Sequence, residues 1–253
     1  MSAFRNRLLC FFLCSFWLAQ QAALADVEQQ DQFGKNTKPK LEIAPYLWAP
    51  TIEGRLNFGE VAVNLSLPPV ELASDLNGGF MGAGRLTKDN AFLIGEALWL
   101  DYENEAFEPF FNQEVHTQLG FAQVAAGWRF DQGGHRWTLA PYVGVQHVNL
   151  TSDIRGSLGS LSLNEQWTSP AIGGIAEAHI TSRLSLSAKA DYADHFSDGR
   201  LLSLFGVVNY AFSEDVTVSL GYRWAEGKLK GAEDFVLDLD AAGPVAGVRW
   251  QVF

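Results

Sequence analysis

The stretch Val216–Trp224 reads V-T-V-S-L-G-Y-R-W, and its two faces decide the fold. Side chains alternate across a β-strand, so Val216, Val218, Leu220, Tyr222 and Trp224 point one way. Thr217, Ser219, Gly221 and Arg223 point the other. In a soluble sandwich the apolar face would be the core. In a membrane barrel the assignment inverts: the apolar face meets lipid and the polar face lines the interior. The rest of the chain chooses between the two.

Ten such alternating segments follow one another from Leu41 onward, at about 41–57, 76–87, 91–102, 115–130, 136–151, 166–180, 184–193, 201–212, 216–225 and 236–252. The breaks between them come in two kinds. Four are tight: Thr87–Asn90, Asp131–His135, Thr181–Arg183 and Ser213–Asp215. Five are longer and more acidic, at roughly 58–75, 103–114, 152–165, 194–200 and 226–235. They alternate strictly, long then short, which is the layout of an up-and-down outer-membrane barrel with short periplasmic turns and longer external loops. The fold expected is therefore all-β, a closed antiparallel transmembrane β-barrel of about ten strands, with eight or twelve as alternatives. An even strand number places both termini in the periplasm.

Aromatics gather at segment ends. Trp128, Phe130, Trp137, Tyr210, Phe212 and Trp250 fall toward the periplasmic side, and Trp99, Tyr102, Tyr222 and Trp224 toward the outside. Two belts of this kind fit interfacial girdles, which a soluble sandwich has no reason to build. Prolines 45, 141, 170 and 244 fall within expected strands, where each removes a ladder donor, so bulges or strand ends are expected there. Within the first long break, Val61–Leu67 alternates and Pro68–Leu76 has apolar residues at helical spacing. This reads as a hairpin extension plus a short helix, resting on the rim or folded into the lumen as a plug.

The amino terminus carries Arg5 and Arg7, then the apolar run Leu8–Ala19, then Ala23-Leu24-Ala25. That is a secretory signal pattern, with cleavage expected after Ala25. The run is shorter than the ~20 residues a helical span needs. Both cysteines, Cys10 and Cys14, lie within it. The processed chain then has no disulfide, thiolate metal site or cysteine nucleophile. Residues 26–40 read as a polar, flexible periplasmic leader, and 41–253 as the barrel. Loss of the two arginines takes the formal charge from −11 to −13. Such acidity excludes nucleic acid as a partner, because phosphate binding needs clustered Lys and Arg.

Following the alternation inward gives a charged lumen. Its acids are Glu42, Glu96, Glu177 and Asp191; its bases are Arg85, Arg129, Lys189, Arg223 and Arg249, with His179 nearby. A charge facing lipid costs about 2–4 kcal/mol at the bilayer midplane, so all should point inside. There the nearly balanced signs can pair. The bland reading is a structural ladder of salt bridges filling a non-enzymatic barrel. The functional alternative is a polar conduit, a narrow pore for small solutes. Ten strands enclose somewhat more than side chains alone fill, so strand number permits both.

Asp191–Asp198 (DYADHFSD) ends one strand and its loop. An acid–histidine cluster on the rim of a ten-stranded barrel resembles the omptin proteases in strand count and residue types. That gives a surface hydrolase using Asp194 and His195 as a further alternative. The same carboxylates, with Glu103, Glu105 and Glu108 of a neighbouring loop, are candidate sites for divalent cations. His116 and His147 read as ordinary strand residues. Ser-His-Asp spacing, phosphate-cradling glycine loops and metal-ligand motifs are absent, so no cofactor is expected.

Leu41–Gly54 (LEIAPYLWAPTIEG), followed by Leu72–Leu76 and by Gly78–Arg85 (GGFMGAGR), resembles uncharacterised Gram-negative outer-membrane β-barrel proteins. These open their first strand with the pattern P-Y-L-W-A-x-x-x-x-G. The likeness covers most of the chain in layout and its first third in motif. It implies an integral outer-membrane location among lipid and lipopolysaccharide, without assigned activity. The terminal Phe253 resembles the carboxy-terminal signal read by the barrel assembly machinery, although Trp250 sits one position off the usual alternation.

Overall fold

In a computed structural model the described residues are 38–58, 61–104, 113–131, 136–156, 159–194, 199–230 and 235–253. The signal segment and residues 26–37 of the leader, His195 and Asp198, and the carboxylates Glu105 and Glu108 lie outside them.

The chain forms a closed antiparallel barrel of ten strands. The first is interrupted at Ala49-Pro50, giving β1 (Lys40–Trp48) and β2 (Thr51–Phe58). Pro50 has no N–H to offer, which accounts for the break. β3 (Val61–Leu67) folds back on β2, and α1 (Pro69–Ser74) leads into β4 (Leu76–Lys88). Then come β5 (Ala91–Asn104), β6 (Gln113–Trp128) with its short continuation β7 (Phe130–Asp131), β8 (Trp137–Gly156) and β9 (Gly159–His179). β10 (Leu184–Asp194), β11 (Gly199–Ala211), β12 (Val216–Lys230) and β13 (Phe235–Gln251) complete the ring. Pairing of β1 with β13 closes it. The Leu41 N–H donates to the carbonyl of Phe253 at 3.0 Å, and the Val252 N–H to that of Leu41 at 2.8 Å, so the last residues seal the seam.

Three expectations are corrected. The strand begins at Lys40, opposite Thr87, one residue inside the expected leader. The segments 152–165 and 226–235 are not loops for most of their length. β8 and β9 stay paired to Gly156 and Gly159, and β12 and β13 to Lys230 and Val236. Their polar residues are one face of long hairpins, so polarity alone misread them. The prolines carry no bulge: Pro141 pairs Gly174, Pro170 pairs Val145 and Pro244 pairs Tyr222 in register. The register shift lies elsewhere, between Leu76 and Gly78. Each strand residue sends its N–H to only one neighbour, so an outward proline costs one bond and no register. Pro244 still accepts from the Ala49 N–H at 3.1 Å. Of the two places open to the short helix, it takes the rim and not the lumen: no residue of α1 is buried, and none lines the lumenal cavity described below. Tethered through Asp75, whose carbonyl accepts from the Glu103 N–H at 2.9 Å, α1 belongs to the rim.

The two faces exchange character partway along the strands. On β12, outward residues run Val218, Leu220, Tyr222 and then Glu226, Lys228 and Lys230; inward ones run Ser219, Arg223 and then Gly227 and Leu229. Leu220 is 61% exposed, whereas Arg223 is 8% and Leu229 8%. The same crossing occurs on β9 and β13. Below it the barrel is oily outside and ionic inside. Above it, Trp167, Leu229 and Leu237 form an apolar core, with Val148, Leu150, Leu163 and Leu239 packed around it. The outward side there carries Arg200–Glu226 and Lys228–Asp238 pairs at 3.2 and 3.3 Å.

Curvature makes several inward glycines indispensable, Gly221 among them. A Cβ on Gly221 would collide with the Gly206 carbonyl and the Val207 side chain, while a Cβ on the outward Gly206 meets nothing. Gly221→Ala is expected to destabilise the barrel by about 1–3 kcal/mol, as overpacking does. Gly206→Ala should stay within about 0.5 kcal/mol. Urea titrations in lipid vesicles, read by tryptophan fluorescence, check both.

Candidate functional site

The lumen holds two ionic layers, each built from strands far apart in sequence. In the layer nearer the tight turns, Arg85 of β4 donates from Nε to Glu42 of β1 at 2.7 Å and from Nη1 to Glu177 of β9 at 2.8 Å. Arg249 of β13 approaches the other oxygen of Glu42 at 3.6 Å. Arg129, on the inward face just past β6, and His179, exposed at the end of β9, stand toward the turn end.

The second layer is tighter. Glu96 of β5 accepts from Lys189 Nζ at 2.7 Å, from Arg223 Nη1 at 2.6 Å and from the Tyr46 hydroxyl at 2.8 Å. Lys189 also lies 3.2 Å from Asp191 and donates to Gln123 Oε1 at 3.1 Å. Asp191 accepts from Gln123 Nε2 at 2.9 Å and from the Tyr142 hydroxyl. Arg223 lies over the Trp48 ring, 4.9 Å from its centroid, and 5.9 Å from that of Phe121. The cation–π geometry adds attraction in a place screened from water. Both cations and both anions of this knot have partners, and Gln123, Asp191 and Arg223 are all buried. Charge-assisted bonds of this number are what make a dry charge cluster tolerable.

Between the layers lies a partly open cavity of about 210 Å³. Its floor is Glu42, Arg85 and Glu177, and its ceiling Glu96, Lys189, Asp191 and Arg223. Ala44, Ala83, Ile94, Ile175, Val207 and Val245 supply apolar walls. A short polar chain runs along its β10–β12 side: Asn209 donates to Ser187 at 2.8 Å, and Ser219 donates to Asn209 at 2.6 Å.

Eight of the ten charged or titratable lumen residues named from the sequence thus meet in the two layers. Tyr46, Trp48, Phe121, Gln123 and Tyr142 belong to the knot and were missed. Strand parity already held the signal for Tyr46 and Trp48, which share a face with Glu42. Among the aromatics, Trp99, Trp128, Phe130, Trp137, Tyr210, Phe212, Tyr222 and Trp250 face outward and are 38–74% exposed. Trp224 also faces outward but is half-buried, donating from Nε1 to Asp240 at 2.6 Å. Tyr102 does not belong with them. It is three residues from Trp99 and so on the Glu96 face, where its hydroxyl donates to Asp75 at 3.0 Å. Phe253 is exposed at the end of the chain.

The acid–histidine cluster divides. Asp191 points inward into the knot, and Asp194 points outward, accepting from the Tyr192 hydroxyl at 3.1 Å. His116 pairs with Asp101 at 2.6 Å and His147 with Thr168 at 2.9 Å, both on the outer surface. Among the described residues, no three acidic or histidine side chains converge as metal ligands.

No protein-family model matches the chain, and neither does any curated protein. Several solved barrels are similar at low identity. The translocator domain of the autotransporter NalP from Neisseria meningitidis aligns at 14% identity and TM-score 0.43, covering 86% of this chain and 90% of that one. Ail, the attachment invasion locus protein of Yersinia pestis, solved with a heparin analogue, gives 15% and 0.36 over 84% and 97%. The N-terminal β-barrel domain of Pseudomonas aeruginosa OprF gives 13% and 0.33 over 83% and 97%.

Glu96 is the common anion of the knot. Glu96→Gln is expected to destabilise the barrel by about 3–5 kcal/mol, because it leaves a buried cation short of a partner. Adding Arg223→Met should recover part of that loss, since Lys189 keeps Asp191. Denaturant titrations of the two variants compare them directly.

Proposed function

We propose that the protein is a non-enzymatic integral outer-membrane β-barrel whose lumen is stoppered, and whose long hairpins stand outside the cell with both termini in the periplasm. The observation that carries this reading is the stacking of two different fillings along one axis. The Glu96–Lys189–Arg223–Asp191 knot occupies the middle of the lumen. The Trp167–Leu229–Leu237 cluster occupies the hairpin end. An ion passing the first would have to break charge-assisted bonds, and passing the second it would have to shed water among apolar side chains.

The location rests on the exterior. A belt of exposed Leu, Val and Ile side chains is bounded by outward aromatics at both ends, and outward charges begin only beyond Trp224. Lipid and lipopolysaccharide are the partners that such a belt fits, divalent cations fit carboxylates at the hairpin end, and Phe253 is offered to the assembly machinery. The outward side of the hairpins carries both signs of charge, so contacts there would be made with a mixed surface.

In planar bilayers the folded protein should show no steady conductance at neutral pH. The combined Glu96→Ala, Lys189→Ala and Arg223→Ala variant should remain closed or flicker, and adding Trp167→Ala and Leu229→Ala should produce sustained openings. Steady openings of the unaltered protein would favour the narrow pore instead.

A further inference from the structure

The ring is not zipped along its whole length. β1 runs to Trp48 and β4 starts at Leu76, yet their shared ladder ends at Pro45 and Gly82. Over Tyr46–Trp48, β1 is paired with β13 alone, and over Leu76–Met81, β4 is paired with β5 alone. The chain leaves this place on both sides. Past Pro50, β2 turns its free edge to β3, and β4 is entered from α1. Continuing the register would set Leu47 beside Phe80, both outward and 76% and 57% exposed. On the β4 side Gly78, Gly79 and Gly82 flank Phe80 and Met81.

The seam opens toward the cavity between the two ionic layers. Ala44 and Tyr46 of β1, with Ala83 and Gly84 of β4, form one of that cavity's walls, and they lie on or next to the last rungs before the ladder stops. Fraying two rungs would join the cavity to the outer surface. The chamber itself is mostly apolar, and its charged floor and ceiling are already paired within the protein. Hydroxyls in it still have bonding capacity. Ser187 accepts from Asn209 and Ser203 from Arg223, and among the described residues neither proton has an acceptor. Ser203 sits beside Asp191 in the ceiling, whereas Ser187 pairs with Val207 of the apolar wall. For scale, an apolar protein cavity of about 150 Å³ takes up benzene.

We propose that this chamber binds a small, mostly apolar molecule bearing one hydrogen-bond acceptor, held by Ser187, and that the molecule enters laterally from lipid through the β1–β4 seam. The proposal rests on the reading that the outward face meets lipid. It does not need conduction, because neither the knot nor the apolar core above it has to open.

Methyl NMR of the full chain in lipid nanodiscs, titrated with benzyl alcohol, tests the chamber. Ile94 and Ile175 line it, while Ile43 and Ile172 face outward and report partition into the lipid. Saturable shifts at Ile94 and Ile175, with non-saturating ones at Ile43 and Ile172, are expected. Parallel, non-saturating shifts at all four would overturn the site. Ala83→Leu should weaken binding at least tenfold, and the outward Ala246→Leu should leave it unchanged. Ser187→Ala, a milder variant if Ala83→Leu fails to fold, should erase the preference for benzyl alcohol over toluene; an undiminished preference overturns the role of Ser187. For the entry route, Leu47→Cys and Phe80→Cys are bridged with a short bifunctional thiol reagent. Binding should slow at least tenfold when the bridge is made, and an unchanged rate would exclude the seam. Bilayer recordings of the same protein keep the stopper separate, since steady conductance refutes that reading without touching the saturable shifts.

Discussion

A charged side chain halfway along this barrel can reach neither lipid nor water and must be answered by other side chains. Glu96 is where that constraint is met. Its carboxylate takes hydrogen bonds from Lys189, Arg223 and Tyr46, contributed by three other strands. Around it the inward positions are filled by groups that serve it or its partners: Asp191 for Lys189, Gln123 for both, and the Trp48 ring for Arg223. Removing any one leaves a buried charge short of a partner, which is why the middle of the barrel behaves as a unit.

The same constraint explains why the interior changes filling along the axis. Inside the apolar belt, lipid rewards outward leucine and valine, and the inward positions go to polar residues. Beyond the belt the outside is water. The ordinary rule of globular proteins returns, and Trp167, Leu229 and Leu237 turn inward to bury apolar surface. The strand does not change its twist or its parity at the crossing; its neighbours change. One polypeptide thus carries a membrane barrel and a small water-side barrel on the same ten strands.

Strand ends are where the regular architecture gives way. The interruption at Ala49-Pro50, the added strand β3 and the rim helix α1 all fall at the first strand and its hairpin, next to the point where β1 and β4 part. A closed ring gains its stability from having no edge. The parting leaves a short stretch of two edges within an otherwise continuous wall, beside the chamber between the ionic layers.

The sequence by itself determined the alternation, and through it the number of strands and the side to which each charge points. These are local properties: a period of two is visible in any nine residues, as in Val216–Trp224. It also contained the rim helix after Pro68 and the inward direction of Tyr46, which shares its parity with Glu42. It misjudged Tyr102, because closeness to Trp99 suggested a shared belt while parity put the two on opposite faces. It also took polar hairpin strands for loops, because polarity does not tell an exposed strand face from a turn. Tertiary structure alone decided which charges meet. Arg223 and Glu96 are 127 residues apart, and Arg85 and Glu177 are 92 apart. Their pairing depends on register, curvature and ring closure, which are summed over every strand between them. The chamber and the seam have the same origin, since both are spaces between strands and no single strand encodes them.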